Sequence, residues 1–226
     1  LMVGLAAALL ACDGSPGPAI EAQRGAIVGG EREGGHPAVG ALAHVVGQRY
    51  NGPFCTGTLI APTWVLTAAH CVEGLRRSGQ PGEAENVVFV VGPDARAQDN
   101  RAPRDGTAYP VAALHQHPGF IFGSVIQVDD IALYELAEPV PDVAPYAIWR
   151  QPMEALAEGT ELLYVGYGAN DGVRRRGQGL RRSRALPLTG VFPAHYLTGQ
   201  PDGGTCYGDS GGPGLLLGQD PPAVVG

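Results

Sequence analysis

Cys206-Tyr207-Gly208-Asp209-Ser210-Gly211-Gly212-Pro213 sets a serine inside a glycine-rich turn, and Thr67-Ala68-Ala69-His70-Cys71 upstream supplies a histidine able to activate it. A serine hydroxyl is a weak nucleophile at neutral pH. It needs a base within hydrogen-bond reach and donors for the oxyanion that forms when it attacks a carbonyl. The glycines meet the second need, because without side chains they let the backbone N–H groups of Gly208 and Ser210 approach a substrate oxygen. A third role falls to an acid that orients the histidine. Val128-Asp129-Asp130-Ile131-Ala132-Leu133 places a carboxylate against an apolar run, where burial beside an imidazole fixes it. Asp130 is the candidate and Asp129 the alternative.

Gly208-x-Ser210-x-Gly212 also satisfies the nucleophile-elbow pattern of α/β-hydrolases, which order their triad Ser, Asp, His. Sixteen residues follow Ser210 and none is histidine, so that reading has no base. Chain order here is His, Asp, Ser.

Four motifs in order resemble the chymotrypsin or trypsin-like family of serine endopeptidases, from Ile27 to the last residue. Ile27-Val28-Gly29-Gly30 is similar to the mature N-terminus, Trp64 to Cys71 to the histidine motif, Asp130 to Leu133 to the acid motif, and Gly208 to Pro213 to the nucleophile motif. Gly35-His36-Pro37 and Gly166-Tyr167-Gly168, where the family usually has Gly-Trp-Gly, fit as well. The resemblance implies an all-β fold of two six-stranded antiparallel barrels, with His70, Asp130 and Ser210 in the cleft between them. It implies a Cys55–Cys71 disulfide around the histidine loop. It also implies a zymogen: cutting before Ile27 frees an α-amino group that pairs with Asp209 and organises the oxyanion turn. The bond to be cut is Ala26-Ile27, where many relatives present arginine or lysine, so an activator accepting a small residue is expected, the enzyme itself included. Gly204 stands where the family has the base of its specificity pocket, followed by Thr205. Both are neutral, which points to apolar or small side chains at the cut, because a buried cation would go unpaired. Asp202 is out of register. Only Asp130 stands immediately before Ile131-Ala132-Leu133 as the family requires.

Composition agrees with this class. The chain has 226 residues, 44% hydrophobic, with 35 glycines and 20 prolines punctuating short apolar runs such as Val87 to Val91, Leu162 to Val165 and Leu215 to Leu217. A net charge of −7 disfavours generic nucleic-acid binding, which relies on a positive surface. Arg174-Arg175-Arg176 with Arg181, Arg182 and Arg184 form the one basic cluster, read as a solvated loop and strand face, with an exosite for acidic substrates as the sharper alternative.

Leu1 to Ala11 is apolar and too short to span a bilayer, and reads as the core of an export signal, part of which precedes the given chain. Leu9-Leu10-Ala11-Cys12 resembles a bacterial lipobox, so Cys12 becomes a lipidated first residue or, by ordinary signal cleavage, a free cysteine. Residues 12–26 read as a tether and propeptide, and 27–226 as the protease domain. The expected location is the cell envelope or the medium. Cys206 is left odd, since in the family its partner lies downstream; on that resemblance the second barrel is incomplete at its C-terminal end. No cofactor is expected. His115 and His117 form a His-x-His pair without an identifiable third ligand, and Glu83 and Glu85 fall short of a calcium set, so no metal is assigned. The competing function is a catalytically silent relative that binds a partner.

Overall fold

The computed structural model describes residues 27, 30–77, 83–122, 129–171, 174, 176–199, 203–218 and 220–226. The expected signal segment, the tether with Cys12, and Val28, Gly29 and Asp202 lie outside these described residues. In chain order the described elements are β1 (Glu31–Arg32), β2 (Val39–Val46), β3 (Arg49–Ala61), β4 (Trp64–Thr67), α1 (His70–Arg77), β5 (Val87–Gln98), β6 (Ala102–Gln116), β7 (Ala132–Leu136), β8 (Ala147–Ile148), β9 (Glu161–Gly166), β10 (Arg182–Phe192), β11 (His195–Thr198), β12 (Gly214–Leu216) and β13 (Ala223–Val224).

Strands β2, β3, β4, β7, β6 and β5 close into a barrel in that order. The turn chemistry sets its hairpins. Between β5 and β6, Asp99 (φ 51°) and Asn100 (φ 55°) take the left-handed angles that short polar residues tolerate, and the long hairpin pairs from Val88 opposite Pro110 to Gln98 opposite Ala102. Inward positions are filled by Leu42, Leu59, Val65, Phe89 and Tyr134, all fully buried. The Phe89 ring packs so closely over Gly40 that a β-carbon there would run into it.

The second half is a seven-stranded sheet in the order β1-β10-β9-β12-β13-β8, with β11 added on β10. All of its pairings are antiparallel except β13 with β8. Its first strand, β1, precedes the barrel in the chain, so the beginning of the described fold is sewn to the second sheet. Of the three apolar runs read from the sequence, the first two fall in β5 and β9, and the third begins in β12 and runs one residue past it. The all-β, two-sheet architecture agrees with the expected double-barrel class.

Arg181 and Arg182 depart from the expected solvated face: they are only 4% and 7% exposed. Arg181 donates from Nε to Glu33 O (3.2 Å), from Nη1 to Val39 O (3.3 Å) and from Nη2 to Gly34 O (3.4 Å). One guanidinium thus gathers the carbonyls of the segment joining β1 to the barrel, which is why a cation is tolerated inside: its donors are matched by acceptors. Arg174 and Arg176 are exposed, as expected of a loop. Arg181→Met keeps most of the side chain's bulk but removes the guanidinium donors to Glu33 O and Gly34 O, and leaves Val39 O to the Tyr167 hydroxyl alone, 3.2 Å away. We expect it to lower unfolding free energy by about 2–4 kcal/mol in urea titrations, against less than about 0.5 kcal/mol for Arg176→Met on the surface.

Candidate active site

His70 opens α1 three residues after the end of β4, and Asp130 lies two residues ahead of β7, which pairs with β4. This pairing brings the two residues together. The imidazole Nδ1 lies 2.6 Å from Asp130 Oδ2, and His70 N–H donates to Asp130 Oδ1 at 2.8 Å. Both carboxylate oxygens are therefore engaged by one residue. Burial pushes the Asp130 carboxyl up, but the hydrogen bonds from the His70 ring and backbone, the charge of the imidazole and a bond from the Ala69 backbone outweigh it and hold it below the usual range. It is ionised at neutral pH, the state in which it can hold Nδ1 protonated and leave Nε2 free as a base. Asp129, the alternative acid, is exposed and turned elsewhere, its Oδ2 lying 3.7 Å from His117 Nδ1.

Cys55 on β3 and Cys71 in α1 form a disulfide with Cα atoms 6.2 Å apart, tying the helix that starts at His70 to the barrel. Cys206 is disulfide-bonded as well, so the expectation that it is left odd does not hold. Cys55, His70 and Cys71 lie within metal-ligand spacing of one another, but both sulfurs are spent in the disulfide and offer no thiolate. His115 packs its ring against Trp64 (centroids 5.4 Å apart) with Nε2 3.6 Å from Glu135 Oε2, while His117 faces Asp129, so the two histidines take separate partners.

Ser210 stands half-buried in the turn that follows Cys206. Its carbonyl oxygen accepts Thr56 N–H at 2.9 Å and lies 3.7 Å from Cys71 Sγ, so the serine is set beside the residue next to His70. The turn has its carbonyls tied back. Tyr207 O accepts from Ala169 N (2.7 Å) and from Gln178 Nε2 (3.3 Å), Gly208 O accepts from the Thr56 hydroxyl (2.8 Å), and Asp209 O accepts from Gly212 N (2.9 Å). Among the described residues neither Gly208 N–H nor Ser210 N–H has a partner, which leaves two donors for an incoming oxyanion. Gly208 (φ 94°) and Gly211 (φ 77°) adopt left-handed angles, and at Gly211 a side chain would also strike Thr67 Oγ1.

Asp209, only 6% exposed, turns its carboxylate inward. Oδ1 accepts Gly168 N–H at 2.7 Å and Oδ2 accepts Cys206 N–H at 2.9 Å. Gly166 and Gly168 make this possible, since a β-carbon at either would overlap the carboxylate. Arg182 is the cross-strand partner of Gly166. Burial pushes the Asp209 carboxyl up to about 7, with the two amide donors and the charge of Arg182 only partly offsetting it. Ionising this group is thus harder in the folded protein than in the unfolded chain: the fold loses stability as pH rises from the ordinary carboxylate range through about 7. Ile27, the other half of the expected activation pair, is fully buried. Gly204 is buried and Thr205 half-buried just ahead of the turn. Thr56 and Gln178 carry no motif that sequence reading could have used, and Arg182 showed only as part of a basic cluster; pairing brings all three to the site from distant stretches.

The chain belongs to the Trypsin family, whose model matches residues 27–226. It is 28% identical over 187 residues to Granzyme M of Rattus norvegicus (74% of this chain, 66% of that protein) and 32% identical over 208 residues to Serine protease 56 of Homo sapiens (84% and 31%). It is 30% identical over 175 residues to the Vitellin-degrading protease of Bombyx mori (70% and 61%). The chain thus spans less than two thirds of the length of each of these relatives. Among solved structures it resembles the Vibrio cholerae VesB protease with a TM-score of 0.62 at 19% identity, covering 84% of this chain and 56% of that one.

Two outcomes follow from the His70 loop. Replacing Cys55 and Cys71 together by alanine should cost about 3 kcal/mol of stability by denaturant titration, the value for closing a loop of about 15 residues. Because the Asp130 carboxyl is held down in the fold, Asp130→Asn should be less stable than the parent at neutral pH, with the gap in Tm closing as the pH falls through the carboxylate range.

Proposed function

We propose that the protein is a serine endopeptidase that hydrolyses peptide bonds through an acyl-enzyme. The observation that carries this reading is the His70–Asp130 pair, with its 2.6 Å contact, next to a turn whose carbonyls are tied back and whose Gly208 and Ser210 N–H groups are left over. Ser210 Oγ attacks the scissile carbonyl carbon while His70 Nε2 takes its proton, and the oxyanion rests on Gly208 N–H and Ser210 N–H. The imidazolium, stabilised by Asp130, returns the proton to the leaving amine as the C–N bond breaks. Water, deprotonated by His70, then releases the acid and frees Ser210.

The buried Asp209 supports control by cutting before Ile27. A new α-ammonium reaching that carboxylate would add a cation to its two amide partners, and favour the ionised form. The neutral Gly204 and Thr205 support a preference for small or apolar side chains at the cut, which makes the Ala26-Ile27 bond a substrate for the enzyme itself or for a protease of like preference. The first eleven residues act as an export signal. Proteins or peptides at the cell envelope or outside it are the substrates.

A fluorophosphonate probe and a library of short peptides test the chemistry. The cut protein should carry the label on Ser210 and hydrolyse bonds after Ala, Val or Leu. Ser210→Ala should lose the label and at least roughly 10⁴-fold in kcat. A Ser210→Ala protein that keeps its full biological effect would instead place the protein among binding modules, and cleavage confined to bonds after arginine would refute the neutral pocket.

A further inference from the structure

Thr56 belongs to the barrel, on β3 and next to Cys55, yet its polar groups serve the nucleophile turn in the other half of the molecule. Its N–H donates to Ser210 O (2.9 Å). Its hydroxyl donates to Gly208 O (2.8 Å) and accepts Tyr167 N–H (3.1 Å). Its carbonyl is held in turn by the Thr67 hydroxyl (2.8 Å). The residue is fully buried, so water cannot substitute for any of these bonds without repacking.

What the hydroxyl holds matters for chemistry. Gly208, at φ 94°, has no side chain to resist rotation of the peptide planes on either side of it. If the Tyr207–Gly208 plane turned over, a carbonyl would face the reacting carbon where an N–H is needed, and one oxyanion donor would vanish. Two sets of bonds oppose that. Ala169 N–H and Gln178 Nε2 hold Tyr207 O on one side, and the Thr56 hydroxyl holds Gly208 O on the other. The same hydroxyl fixes Tyr167, whose neighbour Gly168 donates to the buried Asp209. One oxygen therefore restrains both flanks of Asp209.

We propose that Thr56 is a positioning residue for the oxyanion turn: its hydroxyl, bridging Gly208 O and Tyr167 N–H, keeps Gly208 N–H aimed at the reacting carbonyl. This role rests on the reading of Ser210 as the nucleophile. Thr56 touches no reacting atom, so its loss should weaken transition-state stabilisation while leaving substrate binding largely intact.

The test is a set of three variants of the full-length active protein, assayed with a peptide substrate and with a peptide boronic acid whose tetrahedral adduct on Ser210 uses the same two donors. Thr56→Val should lower kcat roughly tenfold to a hundredfold with KM changed less than about threefold, and weaken the boronic acid in parallel. Thr56→Ser should restore both to within about threefold of the parent. Thr56→Ala, which adds no methyl group against Gly208 O, carries the same expectation as Thr56→Val should the latter not fold. Parental kcat and boronate affinity in a folded variant lacking the hydroxyl would overturn the role, as would equal losses in Thr56→Ser. Absence of hydrolysis and of any Ser210 adduct in the parent would overturn the protease reading itself, and this role with it.

Discussion

A carboxylate inside the protein, at Asp209, is the constraint around which the rest is arranged. Its oxygens accept two backbone N–H groups, from Gly168 and Cys206, and both are anchored in stretches that the fold must bring together. Two glycines leave it room. A buried cation, Arg182, sits across the strand pair from one of them. Even so, burial prevails and the carboxyl stays hard to ionise. The residue that precedes Ser210 is thus held in a place whose electrostatics are unfinished, and a change of charge nearby can be felt directly at Gly208 and Ser210.

That sensitivity needs two halves that meet on defined atoms. Beside the backbone bonds that link β5 to the segment ahead of β10, three buried side chains take part in the joining, each with a different chemistry. Arg181 gathers three carbonyls of the segment between β1 and the barrel. Tyr167 donates its hydroxyl to Gly92 O at 2.5 Å, with Val39 O 3.2 Å away, crossing from the end of β9 into the barrel. Thr56 runs the other way, from the barrel to the turn. All three are buried, so each bond is made in a low-dielectric setting where leaving it unmade is costly, and the relative placement of His70 and Ser210 follows from them.

The parts legible in the sequence were those in which one residue type in one local pattern points to a role. Ser210 among glycines, His70 beside Cys71, and Asp130 ahead of an apolar strand are of this kind, and so are the apolar runs that became β5, β9 and β12. Choosing Asp130 over Asp129 rested on a one-residue register, and the structure shows its physical sense: Asp130 reaches both the ring and the backbone of His70, while Asp129 is turned to His117. The basic cluster misled because charge patterning treats arginine as a surface residue, whereas Arg181 finds three carbonyl acceptors inside. Thr56 was illegible for another reason. A threonine in a strand is ordinary, and only the pairing of distant segments reveals what its hydroxyl holds.

The direct test of this account is the ionisation of Asp209, read from the carboxyl ¹³C resonance of the labelled protein, assigned through Asp209→Asn, before and after cutting in front of Ile27. The account predicts a midpoint near 7 in the uncut chain, and a fall into or below the ordinary carboxylate range once the new ammonium is present. An ordinary carboxylate titration in the uncut chain, or a midpoint unmoved by cutting, would contradict it.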